Sequence, residues 1–439
     1  MALTAEQEIR LLGAIETDKL IFLCGAGLSM PHPSNLLSAV TVAQMCYDRW
    51  HPTEELAPAL RNDVDQLAGH FMTRGDFKAV FISRLVPWDE LVGRPNNGHA
   101  AISDLLISRG AHAALSANFD PLIETWAEDH KISLQAALNG QEAVDYTTNT
   151  NPLIKFHGCI RAREGTLWTK AQLTDATIQA RVDSCSQWMN LHLPGKHLVV
   201  VGFWTDWGYL NDVLAQAFGI NNASSVTVID PSSTATLQAK APNLWEKLNN
   251  LSRIFDHVQA SGVEILDELR TAFSKVWARK FYALGQPLMQ ADGGVVPTTA
   301  TPNAWVGEDL YKLRQDAEGI PYYRAARKKE PDPAAAQTAF AHMILLNAGA
   351  TFQGPWLEYA GHAIRIVNGA GRGLMQVKEE YKEPTIPLQP EIVVCAGATE
   401  LGVPAKLIAA GRGTSMVRPS SGGVARWLTL DQARTELAI

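Results

Sequence analysis

Leu20-Ile21-Phe22-Leu23-Cys24-Gly25-Ala26-Gly27-Leu28-Ser29 is an apolar run that passes directly into a Gly-Ala-Gly-x-Ser turn. A short, continuously apolar run of this kind suits a strand buried on both faces, as in a parallel sheet. Gly25 and Gly27 would let the backbone approach a ligand closely and adopt unusual angles. Their amides, with the start of a following helix, would face an anion such as a pyrophosphate. A full dinucleotide fingerprint needs a third glycine where Met30 stands, which disfavours an ordinary dehydrogenase. A tight strand-to-loop turn that binds nothing fits the same residues.

Working outward, the same kind of short apolar run recurs at 112–117, 152–156, 197–202 and 226–230, with 19–24 as the first. Between and after them lie helical patterns at 36–50, 64–73, 99–108, 121–130, 206–218 and 262–275. Strands alternating with helices predict an α/β fold, a doubly wound parallel sheet. Ligands in such sheets bind beyond the carboxyl ends of the strands. Polar or special residues gather at those ends: Gly25, Ala26, Gly27 and Ser29 after the first strand, Asn118 and Asp120 after the second, and His157 after the third. Gly202, Phe203, Trp204 and Asp206 follow the fourth, and Asp230 closes the fifth.

The chain has 439 residues, enough for two domains. With 46% hydrophobic and 19% charged residues it has the balance of a globular protein with a large core. A net charge of -7 argues against nucleic-acid binding by the chain as a whole. No apolar run is long enough to cross a bilayer, and the polar, acidic N-terminal residues do not resemble a secretion signal, so a cytoplasmic location is expected. The five cysteines, Cys24, Cys46, Cys159, Cys185 and Cys395, are an odd number without close pairing, which fits reduced thiols. No Cys-x-x-Cys pair occurs, so a four-thiolate zinc site has no support and no metal is expected. Cys159 lies two residues after His157, but a histidine that close on a strand end reads as a neighbour rather than an activating base.

Past the first domain, the Gly/Thr/Pro/Ala-rich stretch up to Pro302 reads as a linker. The expected organisation is a first α/β domain over 1–285, a linker over 286–303 and a smaller α/β domain over 304–439. In the last, helices are expected at 334–347 and 356–368, a strand at 392–396, a short helix after Pro404, and Trp427-Leu428-Thr429-Leu430 before a segment at 431–437. Gly-Arg-Gly occurs at 371–373 and 411–413, as anion-binding turns or as ordinary arginine-bearing loops. The basic run Arg324, Arg327, Lys328 and Lys329 reads as a solvated helix end.

Taken in order, several pieces make the chain resemble the sirtuin family, more closely its bacterial branch of NAD-consuming defence proteins. They are Gly25-Ala26-Gly27-Leu28-Ser29, Pro95-Asn96-Asn97-Gly98-His99, Ser116-Ala117-Asn118-Phe119-Asp120, His157-Gly158, Gly202-Phe203-Trp204-Thr205-Asp206, Val228-Ile229-Asp230 and Phe255-Asp256-His257-Val258. The resemblance implies that Gly25, Ala26, Gly27 and Ser29 hold the pyrophosphate and the neighbouring ribose. Asn118 and Asp120 would line the nicotinamide ribose and position the attacking water or hydroxyl. His157 would be the general base, and Asp230 would sit near the adenosine ribose, where the family often has Asn. Gly202, Phe203, Trp204 and Asp206 would form the neighbouring cofactor loop.

Two departures bear on the reaction. The family's deacylases carry a zinc ribbon of two Cys-x-x-Cys pairs after the histidine, and 159–187 has none. Their small-residue loop is replaced by Gly202-Phe203-Trp204-Thr205 with Trp207 nearby, and bulky aromatics suit closing a pocket better than admitting a peptide. The expectation is therefore hydrolysis of NAD to ADP-ribose and nicotinamide. Deacylation or ADP-ribosyl transfer, and a non-catalytic NAD- or ADP-ribose-sensing module, are the alternatives. His99 reads as a helix-start cap, His257 as part of a structural network, and Trp204 and Trp207 equally well as core aromatics. The resemblance further implies a homo-oligomer gated by a partner such as an Argonaute-like protein, a ring ATPase or a nucleotide-processing enzyme, with the C-terminal domain as the contact.

Overall fold

The computed structural model describes residues 3–148, 150–206, 208–297, 304–318, 329–381, 392–399 and 426–439. The chain divides into two compact units, Met1–Leu269 and Arg270–Ile439.

The first unit begins with α1 (Ala5–Glu16), β1 (Leu20–Cys24), α2 (Ala39–Trp50), α3 (Val64–Thr73), α4 (Asn97–Ile107), β2 (Ala111–Ser116) and α5 (Leu122–Asp129). It continues through β3 (Ala136–Ala137), α6 (Gly140–Asp145), β4 (Leu153–Ile154), α7 (Ala176–His192), β5 (His197–Val201) and α8 (Gly208–Phe218). β6 (Ser225–Ile229), α9 (Thr234–Lys240), α10 (Pro242–Leu251) and β7 (Phe255–Val258) follow, and the long α11 (Gly262–Ala291) begins in this unit and continues past Leu269 into the second. Local chemistry starts these helices: Ser38 caps α2, Asp63 caps α3 and Asp175 caps α7, each accepting from an amide of the first turn.

The seven strands form one sheet in the order β3-β4-β2-β1-β5-β6-β7, and every neighbouring pair is parallel. The fold is the α/β doubly wound sheet. All five residues of β1 are buried, and Cys24 stands level with Ser116 of β2 and Val201 of β5. Strand order turns around at β1, so the crevice between the β1 and β5 loops is the topological switch point, where α/β sheets bind ligands. Ile21, Leu23, Leu198, Val200, Val226 and Val228 belong to the main core. A second cluster, with Phe71, Phe81, Trp88 and Trp168, lies under α2 and α3.

All five expected strands form, with ends moved by a residue or more. β3 and β7 have no counterpart among them. Both are at the edges of the sheet, and an edge strand needs no continuous apolar run: three of the four β7 residues are only half-buried. Helix α7 also escaped the pattern, since only Val182, Cys185, Trp188 and Met189 of it are buried.

The second unit contains α12 (Gly307–Glu318), α13 (Ala336–Asn347), β8 (Thr351–Gln353), β9 (Trp356–Tyr359), β10 (His362–Asn368), α14 (Leu374–Glu380), β11 (Ile392–Ala396), β12 (Arg426–Thr429) and α15 (Leu430–Leu437). Its sheet runs β12-β11-β10-β9-β8, parallel across β10, β11 and β12 and antiparallel at β8 and β9. The helix expected over 356–368 is a β-hairpin. Tyr359 pairs with His362 across Ala360 and Gly361, which have φ of 51° and 79°. Two successive positive φ values make the tight turn that matches strand twist.

The linker expected from 286 is corrected as well. Residues 286–291 are the last turns of α11, where Pro287 is exposed and the helix continues through it, and the compact units divide at Leu269 instead of 285. Around 371–373, the Arg372 guanidinium folds back onto the carbonyls of Asn368 and Gly369, so this Gly-Arg-Gly is an arginine-bearing structural loop. Arg324, Arg327 and Lys328, the segment after Pro404, the 411–413 Gly-Arg-Gly and Trp207 lie outside the described residues. Among the described residues no helix is long and apolar enough to cross a membrane.

Candidate active site

The site is organised by a serine. Ser29 ends the short helical turn Ala26–Leu28 that follows β1 and is 2% exposed. Facing it is the start of α4, where the Asn96 side chain accepts from the Gly98 and His99 amides and His99 Nδ1 accepts from the Asn96 amide at 3.2 Å. A neutral imidazole that accepts at Nδ1 carries its proton on Nε2. That Nε2 lies 3.0 Å from Ser29 Oγ and donates to it. Ser29 in turn donates to Asp120 Oδ2 at 2.9 Å, and Asn118 Nδ2 donates to Ser29 Oγ at 3.2 Å and to the Gly25 carbonyl at 3.1 Å. The hydroxyl is saturated, with one bond donated and two accepted. Burial pushes the His99 pKa down to about 4 against the pull of Asp120, consistent with the neutral tautomer.

The glycine turn serves a different purpose from the one expected. Gly25 donates its amide to the Val201 carbonyl at 3.1 Å and Gly27 donates to the Gly202 carbonyl at 2.9 Å, while the Leu28 and Ser29 amides close the turn itself. The Gly25 and Gly27 amides are therefore spent on the β5 loop and do not face an anion. Glycine is required for the approach of that loop: a Cβ on Gly25 would meet Phe203 Cα at 2.6 Å, and one on Gly27 would meet Gly202 Cα at 2.9 Å.

His157 follows β4 and is 1% exposed. Burial first, and then the Arg181 guanidinium, hold its pKa well below the usual histidine value, so it is neutral near pH 7. Gly158, at φ 101°, turns the chain directly after it. Two links join this segment to the one carrying Asn118 and Asp120: the Ile160 amide donates to the Phe119 carbonyl at 2.8 Å, and the Lys155 ammonium donates to the Asp120 carbonyl. The Asp120 carboxylate also accepts from the Leu122 amide through Oδ1.

On the other side of the switch point, the side chains have structural work. Phe203 and Trp204 belong to the core, the Trp204 indole N–H donating to the Leu237 carbonyl and its ring packing edge-on to Trp245. Asp206, expected near the dinucleotide, instead accepts from the Asn243 and Leu244 amides and caps α10. Asp230 accepts from the Ser232 amide, and its carbonyl meets His257 Nε2 at 3.3 Å. The sequence reading missed His99 as a member of the cluster, although Asn96-x-x-His99 has the spacing of a capping box and pointed to a held imidazole. It also missed Lys155 and Glu124, which carry no local signal. Among the described residues no group of three or more His, Cys, Asp or Glu side chains is placed to hold a metal ion.

Residues 112–251 match the SIR2-like domain family. The match takes in Asn118, Asp120, Lys155, His157 and the Gly202 loop, and leaves the Gly25–Ser29 turn and His99 before it. No curated protein matches the chain. Among solved structures the chain is similar to a serine-to-alanine mutant of a Sir2 homologue in complex with ADP-ribose, at 14% identity over 59% of this chain and 94% of that one, with a TM-score of 0.32. It is likewise similar to a histidine-to-asparagine mutant of a Sir2 homologue with ADP-ribose, at 14% identity, 59% and 94% coverage and a TM-score of 0.31. A structure described as the basis for the mechanism and regulation of Sir2 enzymes follows at 12% identity, 60% and 95% coverage and a TM-score of 0.30.

Proposed function

We propose that the first unit binds NAD and hydrolyses its nicotinamide–ribose bond, releasing ADP-ribose and nicotinamide. The observation that carries this reading is the Ser29 cluster: it holds an amide and a carboxylate together at the carboxyl ends of β1 and β2, within hydrogen-bond links of the His157 segment. The SIR2-like match over 112–251, which takes in Asn118, Asp120 and His157, supports it. The dinucleotide would lie at the switch point, where Gly25, Gly27 and Gly202 let the β1 and β5 loops pack on one another and Ala26, Phe203, Trp204, Asp206 and Asp230 shape the surrounding loops.

The chemistry follows from the residue types. The bond between the anomeric carbon and the pyridinium nitrogen breaks, and its electron pair leaves with nicotinamide. Positive charge grows on the ribose, where the Asp120 carboxylate stabilises it. The Asn118 amide nitrogen is committed to Gly25 and Ser29, which fixes its oxygen to accept from and orient a water. The water oxygen bonds to the anomeric carbon, and neutral His157 takes its proton and passes it to solvent. NAD and water thus give nicotinamide, ADP-ribose and one proton.

Incubating the full chain with NAD tests this directly, with ADP-ribose and nicotinamide as the expected products. His157→Ala and Asn118→Ala should each lower the rate by at least about a hundredfold while largely retaining the fold, as judged by circular dichroism. A near wild-type rate in either variant refutes the assignment. Products that form only with an acylated peptide would make the chain a deacylase, and binding without turnover would make it a sensor. A free NAD hydrolase would drain its own cell, so the reading includes gating by assembly or by a partner on the second unit, in cytoplasmic anti-phage defence. A full rate at every protein concentration, unchanged by any co-purifying protein, would refute the gating.

A further inference from the structure

Directly beneath the Ser29 cluster lies a charge pair withdrawn from water. Lys155 Nζ is 2.7 Å from Glu124 Oε1, and each side chain is 1% exposed. The same ammonium donates to the Asp120 carbonyl and lies 3.9 Å from Cys159 Sγ. Its three protons thus face three segments of the chain: the loop after β2, helix α5 and the loop after β4. Burial on its own would lower the Lys155 pKa, but Glu124, Cys159 and Asp120 outweigh it and raise the value, so the ammonium is a permanent charge near neutral pH.

Stability alone gives no account of such a pair, because apolar residues of similar volume generally pack as well as a buried ion pair or better. Its location does. Lys155 is two residues before His157, and the carbonyl it holds belongs to the residue whose carboxylate accepts from Ser29. We propose that Lys155, held by Glu124, is a positioning residue: its ammonium fixes the Asn118–Asp120 segment against the His157 segment. Its kinetic consequence rests on the NAD-hydrolase reading, and its structural consequence does not.

The test is the full chain carrying Lys155→Met and Glu124→Leu together, which removes both charges and leaves neither one buried alone. The melting temperature should stay close to wild type. Deuterium exchange in peptides covering 117–122 should rise about tenfold, with β1, β5 and β6 unchanged, and kcat should fall about ten- to a hundredfold with KM within about twofold. Glu124→Gln, which keeps the side-chain shape, should move exchange and kcat the same way by a smaller factor and serves if the double variant does not fold. Wild-type exchange over 117–122 in a folded variant overturns the proposal, as does faster exchange with unaltered kcat. If exchange rises while the wild-type chain turns over no NAD, the positioning role stands and the hydrolase reading falls.

Discussion

Ser29 is a small residue with a large role, since one hydroxyl satisfies an imidazole, an amide and a carboxylate at once. Leaving any one of them buried without a partner costs about 1–3 kcal/mol. The His99 imidazole in this cluster makes the first unit sensitive to acid. Its folded value of about 4 lies below the ordinary value of about 6.5, so on acidification the unfolded chain takes up the proton first. The stability this histidine contributes is complete above pH 6.5 and is lost as pH falls from there to 4, to the extent of roughly 3 kcal/mol. Urea unfolding at pH 7 and pH 4.5 should show that loss in the wild type and a clearly smaller one in His99→Gln. Equal losses in the two proteins would remove His99 as the cause. His157 shifts in the same direction, so the proposed role of His157 as base in NAD hydrolysis places the acid limb of kcat/KM below the usual histidine range.

Between elements, the decisive contact is the meeting of the β1 and β5 loops. Gly202 has φ 62°, and a Cβ there would lie 2.3 Å from the Leu28 amide nitrogen and 2.7 Å from the Gly27 carbonyl carbon, both backbone atoms. Gly202→Ala therefore adds a clash to the left-handed strain and should cost about 3 kcal/mol or more. Gly195 has φ 71° with nothing within 4 Å of its Cβ position, so Gly195→Ala isolates the conformational part, about 1–2 kcal/mol. Chemical denaturation midpoints compare the two. Similar losses would mean that close approach contributes nothing and that φ alone selects the glycine. At this scale the buried strands were legible, because a parallel strand covered on both faces must be apolar along its length. The edge strands β3 and β7 were not, and the β9–β10 hairpin reads as a helix until the turn at Ala360 and Gly361 is recognised.

Across the whole molecule, the second unit has a buried ion pair of its own. Arg365 grips Asp316 through two bonds of 2.8 and 2.7 Å, joining β10 to α12. Asp316→Ala strands the guanidinium and should cost about 3–5 kcal/mol. Deuterium exchange should rise in peptides from 307–318 and 362–368 and stay unchanged in β1, β2 and β5. Unchanged exchange in the second unit would show that the pair is dispensable. The sequence by itself determined the alternation of strand and helix, the buried strands of the first sheet and the strand ends at which site residues fall, because burial and capping leave local patterns. Tertiary structure alone decided which polar groups meet. Ser29 and His99 are 70 positions apart, Ser29 and Asp120 are 91 apart, and Lys155 lies 35 from Asp120. Hydrogen bonds over such separations impose no periodicity on the residues between, and the inward turn of the Gly25 and Gly27 amides appears only once β5 lies beside β1.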